Sequence, residues 1–210
     1  MTTIAILDYG MGNLRSVEKA LEHVGTQAVI SADPVTAGAA DGLILPGVGA
    51  FPAAMRRVRE LGLDTLVADR LQAGTPVLGI CLGLQLLFSS SVENEGADGL
   101  GLLSGEVEPL DSPGLKVPHI GWSPVRWQRD SELTEGLDSE VPFYFVHSFT
   151  PRPHEEGDVL GTAEYGERFA CAVARAPLYG VQFHPEKSSA AGLRLLSNFA
   201  EICARVVSAA

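Results

Sequence analysis

Short apolar runs and amphipathic stretches take turns along the first ninety residues. TIAILD (3–8) predicts a buried strand that ends at Asp8. Leu14, Val17, Leu21 and Val24 then recur at helical spacing over 14–25, and Gly25 is a natural C-terminal stop. QAVI (27–30), GLILPG (42–47) and TPVLGI (75–80) read as further strands. Residues 52–73 predict helix with a break at Gly62 and an end at Gly74, and LGLQLLFSS (82–90) returns to helical periodicity. Strands alternating with helices in this way predict a parallel sheet covered on both faces.

The pattern changes after residue 99. VEPL, KVPHIGWSPVRW, FYFVHSFTP, DVLGTAEYG and RFACAVARA are short and β-rich, with Gly and Pro between them, so they predict antiparallel or mixed strands added to the parallel core. LYGVQF (178–183) is again strand-like, and residues 188–207 form an amphipathic C-terminal helix. SVENEGADG (91–99) reads as an exposed loop. The expected architecture is α/β and three-layered: a central, mostly parallel sheet, helices on both faces, and antiparallel strands in the second half. No repeat or linker divides residues 1–210, which read as one domain.

Composition narrows the function. The 210 residues carry a formal charge of −11, so clustered basic residues for a phosphate backbone are missing and nucleic-acid binding is not expected. No run approaches the ~18 apolar residues that span a bilayer, and no membrane association is expected. Three scattered cysteines make neither a disulfide framework nor a zinc site, and point to a reducing, cytoplasmic location. YGMGN (9–13) lacks the third glycine of a dinucleotide fingerprint, and no phosphate-loop GK[ST] occurs. The expectation is therefore no cofactor and no metal.

Chemistry concentrates in three places. GICLG (79–83) follows a strand and opens a helix, the setting of a nucleophile elbow, where a thiol meets unpaired backbone N–H groups. Two readings of Cys81 stand at this point: a nucleophile, or a small buried hydrophobe. Cys171 and Cys203 lie in apolar patterns and read as core. Among the five histidines, His23 suits a helix end, His154 a solvated loop, and His119 and His147 strand-like segments. His184 ends the strand GVQF and is followed by Pro185 and Glu186. Positions i and i+2 of an extended segment face the same way, so Glu186 can orient His184 while its other nitrogen faces a thiol. LPGVGAF (45–51) can aim the N–H groups of Gly47, Val48 and Gly49 at a developing oxyanion, with Leu82 N–H as a second donor; a plain turn into a helix explains it as well.

Together these motifs resemble a known family. GICLGLQLLF with GVQFHPEKS is similar to the signatures of class I (triad) glutamine amidotransferases. DYGMGN, LPGVGAF, KVPHIGW and FYFVHS resemble, within that family, the glutaminase subunits of imidazole glycerol phosphate synthases from histidine biosynthesis. The resemblance implies hydrolysis of glutamine to glutamate and ammonia through a Cys81 thioester, with His184 as base and Glu186 as its orienter. It assigns the oxyanion strand to Gly47, Val48 and Gly49 and allows for a peptide flip there. Glutamine contacts fall to Gly49, Gln85, His147 and Ser148. Asn13, Trp122, Tyr144 and Lys187 match positions that face a (β/α)₈-barrel cyclase, the heterodimer partner that uses the ammonia to form imidazole glycerol phosphate and aminoimidazole carboxamide ribotide. Leu84, Ser123 and Phe149 depart from the common pattern without touching the triad. Two other readings are an amidotransferase subunit of a different synthase and a non-catalytic partner-binding module.

Overall fold

The computed structural model describes residues 2–209. Its central sheet has nine strands. In chain order these are β1 (Thr3–Leu7), β2 (Gln27–Ser31), β3 (Gly42–Gly47), β4 (Val77–Cys81), β8 (His119–Trp127), β9 (Glu140–His147), β11 (Val159–Tyr165), β12 (Glu167–Arg175) and β13 (Leu178–Val181). The numbers between belong to a small second sheet: β5 (Ser90–Ser91), β6 (Ala97–Asp98), β7 (Gly105–Pro109) and β10 (Phe149–Pro153). The large sheet runs β2-β1-β3-β4-β13-β12-β11-β8-β9. Its first five strands are parallel, and every pairing from β13 through β12, β11 and β8 to β9 is antiparallel.

Two apolar layers sandwich this sheet. On one face Ile4, Ile6, Ile44, Leu78 and Ile80 pack with α1 (Leu14–His23) and the long C-terminal helix, α6 (Ser189–Ala209). The opposite face buries Ala5, Leu7, Leu43, Leu45 and Val77. Phe51, Met55 and Val58 of α3 (Phe51–Glu60), and Leu63 and Val67 of α4 (Leu63–Gln72), cover it together with α5 (Leu82–Leu86). Successive strand residues point to opposite layers, which is why the parallel strands read as unbroken apolar runs. The expected three-layer α/β architecture is the one observed.

Some local expectations need correction. Residues 91–99 are not merely an exposed loop: Ser90–Ser91 pairs with Ala97–Asp98, and the Phe51 N–H donates to Glu93 Oε2 at 2.7 Å. The helix expected over 82–90 keeps its α form only to Leu86, because Ser89 N–H turns to the Gly105 carbonyl and joins the second sheet. A short helix, α2 (Pro34–Gly38), has no counterpart in the apolar pattern; Asp33 caps it by accepting from the Val35 and Thr36 N–H groups. The break at Gly62 is real, with φ of 67° between α3 and α4.

What this topology gives the site is one shared edge. β3, β4 and β13 are parallel neighbours, with Gly47 beside Cys81 and Val181 beside Ile80. Their C-terminal ends therefore deliver the Gly47–Gly49 loop, Cys81 and His184 to the same rim, where sites of open α/β sheets gather.

Candidate active site

Cys81 sits at the turn from β4 into α5 with φ 55° and ψ −110°. For a residue with a side chain this conformation costs about 1–3 kcal/mol and must be held by its surroundings. The two glycines of GICLG do that holding. A Cβ on Gly83 would lie 1.6 Å from the Leu45 carbonyl oxygen, and one on Gly79 would lie 2.7 Å from the Gly83 oxygen. Helix, elbow and neighbouring strand can thus touch only while both positions lack side chains.

His184 reaches the thiol from the end of β13. Its N–H donates to the Tyr144 carbonyl at 2.9 Å, and its own carbonyl accepts from Ser188 Oγ at 2.6 Å. Behind it, His184 Nδ1 and Glu186 Oε1 are 2.8 Å apart, with both side chains almost wholly buried. Burial alone would depress the His184 pKa, but hydrogen bonds and attraction to Cys81 and Glu186 overcome it and raise the value to about 10. An imidazolium beside the sulfur favours the thiolate. The helix dipole adds little here, since α5 has only five residues.

The pocket above these groups encloses about 280 Å³. Of the residues expected to touch substrate or oxyanion, Val48, Gly49, Leu82, Gln85, His147 and Ser148 line it with Cys81 and His184. Gly47 is not on the wall. It lies beneath, where a Cβ would meet the Tyr9 hydroxyl at 2.1 Å; that hydroxyl donates to the Pro46 carbonyl at 2.6 Å. Glu186 is likewise screened from the pocket by His184. Gln85 Nε2 donates to the Phe149 carbonyl at 3.0 Å and to Gln182 Oε1 at 3.1 Å.

His119 and His147 are cross-strand partners on β8 and β9, which brings their rings within 3.0 Å. The chain of contacts continues to Ser123 Oγ at one end and the Phe149 carbonyl at the other. Burial pushes both pKa values down to about 4, so both imidazoles are neutral near pH 7. A neutral pair can hold the pocket wall without repelling the His184 cation. Ser123, one of the departures noted in the sequence, thus has a defined role as the terminal hydroxyl of this chain.

Three of the four positions assigned to a partner face do not line the pocket. Asn13 is exposed at the start of α1, and its side chain makes no capping hydrogen bond. Trp122 is 51% exposed and meets Tyr144 edge-on at 5.9 Å. Lys187 alone reaches the pocket wall. Cys171 and Cys203 are buried and free, as their apolar settings predicted. Glu93, Pro118 and Val146 also line the pocket; Pro118 and Val146 fall inside KVPHIGW and FYFVHS without an assigned role, and Glu93 lies outside every motif. For Glu93 the signal is hidden, since nothing in a polar stretch announces that it folds back over α3.

A strained thiol, an imidazole and a buried carboxylate in series meet the geometric requirements of cysteine nucleophilic catalysis. The family model for glutamine amidotransferase class-I matches residues 5–203, and the chain belongs to that family. Within it, the sequence is 52% identical over 202 residues to the imidazole glycerol phosphate synthase subunit HisH of Moorella thermoacetica, covering 96% of each chain. It is 48% identical to the HisH subunit of Methanosarcina barkeri, covering 97% of this chain and 100% of the relative. A crystal structure of a glutamine amidotransferase superposes with a TM-score of 0.75 at 25% identity, covering 96% of this chain and 98% of that one. The fold alone is shared with a chain of the PurLQS structure from Thermotoga maritima, at a TM-score of 0.73 and 17% identity over 98% of this chain and 99% of that one.

Proposed function

We propose that residues 1–210 act as one glutamine amidotransferase unit, the glutaminase subunit of an imidazole glycerol phosphate synthase in histidine biosynthesis. The observation that carries this reading is the Cys81–His184–Glu186 series at the floor of a pocket in a chain so similar to HisH subunits. Neither a different synthase nor a non-catalytic module has a comparable observation behind it.

In the proposed reaction the Cys81 thiolate attacks the side-chain amide carbon of glutamine. The charge that develops on the amide oxygen falls to backbone donors at Leu82 and in the Gly47–Gly49 loop. His184 gives its proton to the departing nitrogen, releasing ammonia and leaving a thioester. The now neutral imidazole takes a proton from water, whose oxygen attacks the thioester and frees glutamate. Glu186 keeps the imidazole in the required tautomer and balances its positive charge. Gly49, Gln85, His147 and Ser148 hold the substrate, with Glu93 on one wall and Lys187 at the rim suiting its opposite α-charges.

The ammonia acceptor belongs to a (β/α)₈-barrel cyclase subunit. An exposed apolar set, Val48, Val117, Ile120 and Trp122, supports a partner surface here. Asn13, Tyr144 and Lys187 contribute polar contacts to the same face. The three unpaired cysteines suit a reducing cytoplasm. Glutamine hydrolysis measured with and without the cyclase and its ligand tests the reading. Ammonia release is expected to rise about 10²-fold or more in the complex, the scale of one realigned oxyanion donor. Equal rates with and without the partner would contradict it.

A further inference from the structure

Gln182 has no place in the reaction as described, yet its side chain is fully buried against the nucleophile. It directly follows β13 and lies two residues before His184, and both side chains reach Cys81. Gln182 is not among the residues that line the pocket.

The direction of its amide is fixed by its neighbours. The Phe149 carbonyl can only accept, so the group facing it at 3.0 Å must be the Gln85 NH₂. The same NH₂ lies 3.1 Å from Gln182, which must therefore present its oxygen. That leaves Gln182 Nε2 aimed at Cys81 Sγ, 3.7 Å away. Besides His184, the sulfur has the Val146 carbonyl as a neighbour, also at 3.7 Å, which accepts from the thiol but opposes the thiolate. The Gln182 N–H donor offsets that opposition once the proton is lost.

We propose that Gln182 is a positioning residue for the nucleophile. Its amide N–H holds the Cys81 thiolate, while its oxygen anchors the pocket-lining amide of Gln85. The inference rests on Cys81 being the nucleophile. The titratable groups around the sulfur are His184 backed by Glu186, Tyr9 near the floor, and His147, Glu93 and Lys187 around the pocket.

Gln182→Met and Gln182→Leu remove the donor and keep an apolar body of similar length. The test is the pH dependence of iodoacetamide alkylation at Cys81 in the full chain, followed by peptide mapping. The apparent midpoint of the Cys81–His184 pair is expected to rise by about one pH unit in both variants, as loss of a hydrogen bond to a charged group predicts. kcat at neutral pH should fall, by tenfold at most, since one pH unit is at most a tenfold change in thiolate, and KM should rise as Gln85 loses its anchor. A wild-type midpoint in either variant that still unfolds cooperatively would overturn the role of Gln182 alone. Failure of Cys81 to react ahead of Cys171 and Cys203 in the wild type would overturn the nucleophile assignment, and this inference with it.

Discussion

Cys81→Ala is expected to lower glutamine hydrolysis by roughly 10⁴-fold or more, the scale on which nucleophile removal acts in catalytic triads. The fold should survive. The substitution deletes one sulfur atom from a side chain facing a pocket, so the cavity it leaves is continuous with space that already exists. Its lost contacts are the hydrogen bond with His184 and two long sulfur hydrogen bonds, to the Val146 carbonyl and Gln182. Alanine meets the same backbone conformation as cysteine, so the strain at φ 55° is neither relieved nor increased. Ammonia release and a thermal unfolding curve on one preparation check both halves. Retained hydrolysis in the folded variant would remove Cys81 from the mechanism.

The second large effect is expected from Glu186→Gln, at about 10³-fold or more in kcat. Glu186 Oε1 accepts the proton on His184 Nδ1 across 2.8 Å, and the carboxylate is nearly inaccessible. The amide has almost the same shape, so packing survives while two other properties change. It carries no charge to balance the imidazolium, and the His184 pKa should fall from its raised value because that attraction helps to raise it. It can also turn its NH₂ toward Nδ1 and stabilise the wrong tautomer. KM for glutamine should move little, because Glu186 is screened from the pocket by His184. Steady-state kinetics on the folded variant separate this outcome from a general loss of structure, which would move both constants.

Much of the arrangement is legible in the sequence, for identifiable reasons. GLILPG and TPVLGI are buried on both faces, so their apolar runs are unbroken and their ends fall where a motif follows. GICLG is legible because two backbones meet at its glycines. HPE is legible as a motif, but the extended segment expected there is not what joins its ends: Pro185–Lys187 forms a 3-10 turn, which brings Glu186 back beside His184. Gln182 falls just past β13, and a glutamine at the end of an apolar run carries no chemical signature of its own. Residues 91–99 look like a loop in the sequence because two-residue strands have no periodicity to detect. The early end of α5 is invisible for a related reason. Leu84, Leu86, Leu87 and Phe88 keep helical spacing, yet distant backbone hydrogen bonds to the second sheet decide where the helix stops. The His119–His147 contact depends on the register of β8 against β9, which local sequence does not specify.

The central claim is that one cysteine of three is a nucleophile made reactive by its neighbours. Cys171 and Cys203 are buried, and burial pushes both thiols above their usual pKa. Cys81 opens onto the pocket beside an imidazole whose pKa is raised. The most direct measurement is peptide mapping after limited exposure to a glutamine-shaped electrophile, with excess glutamine as competitor. A single adduct on Cys81 that glutamine suppresses is the predicted result. Equal labelling of all three cysteines, or labelling of Cys81 that glutamine leaves unchanged, would contradict it.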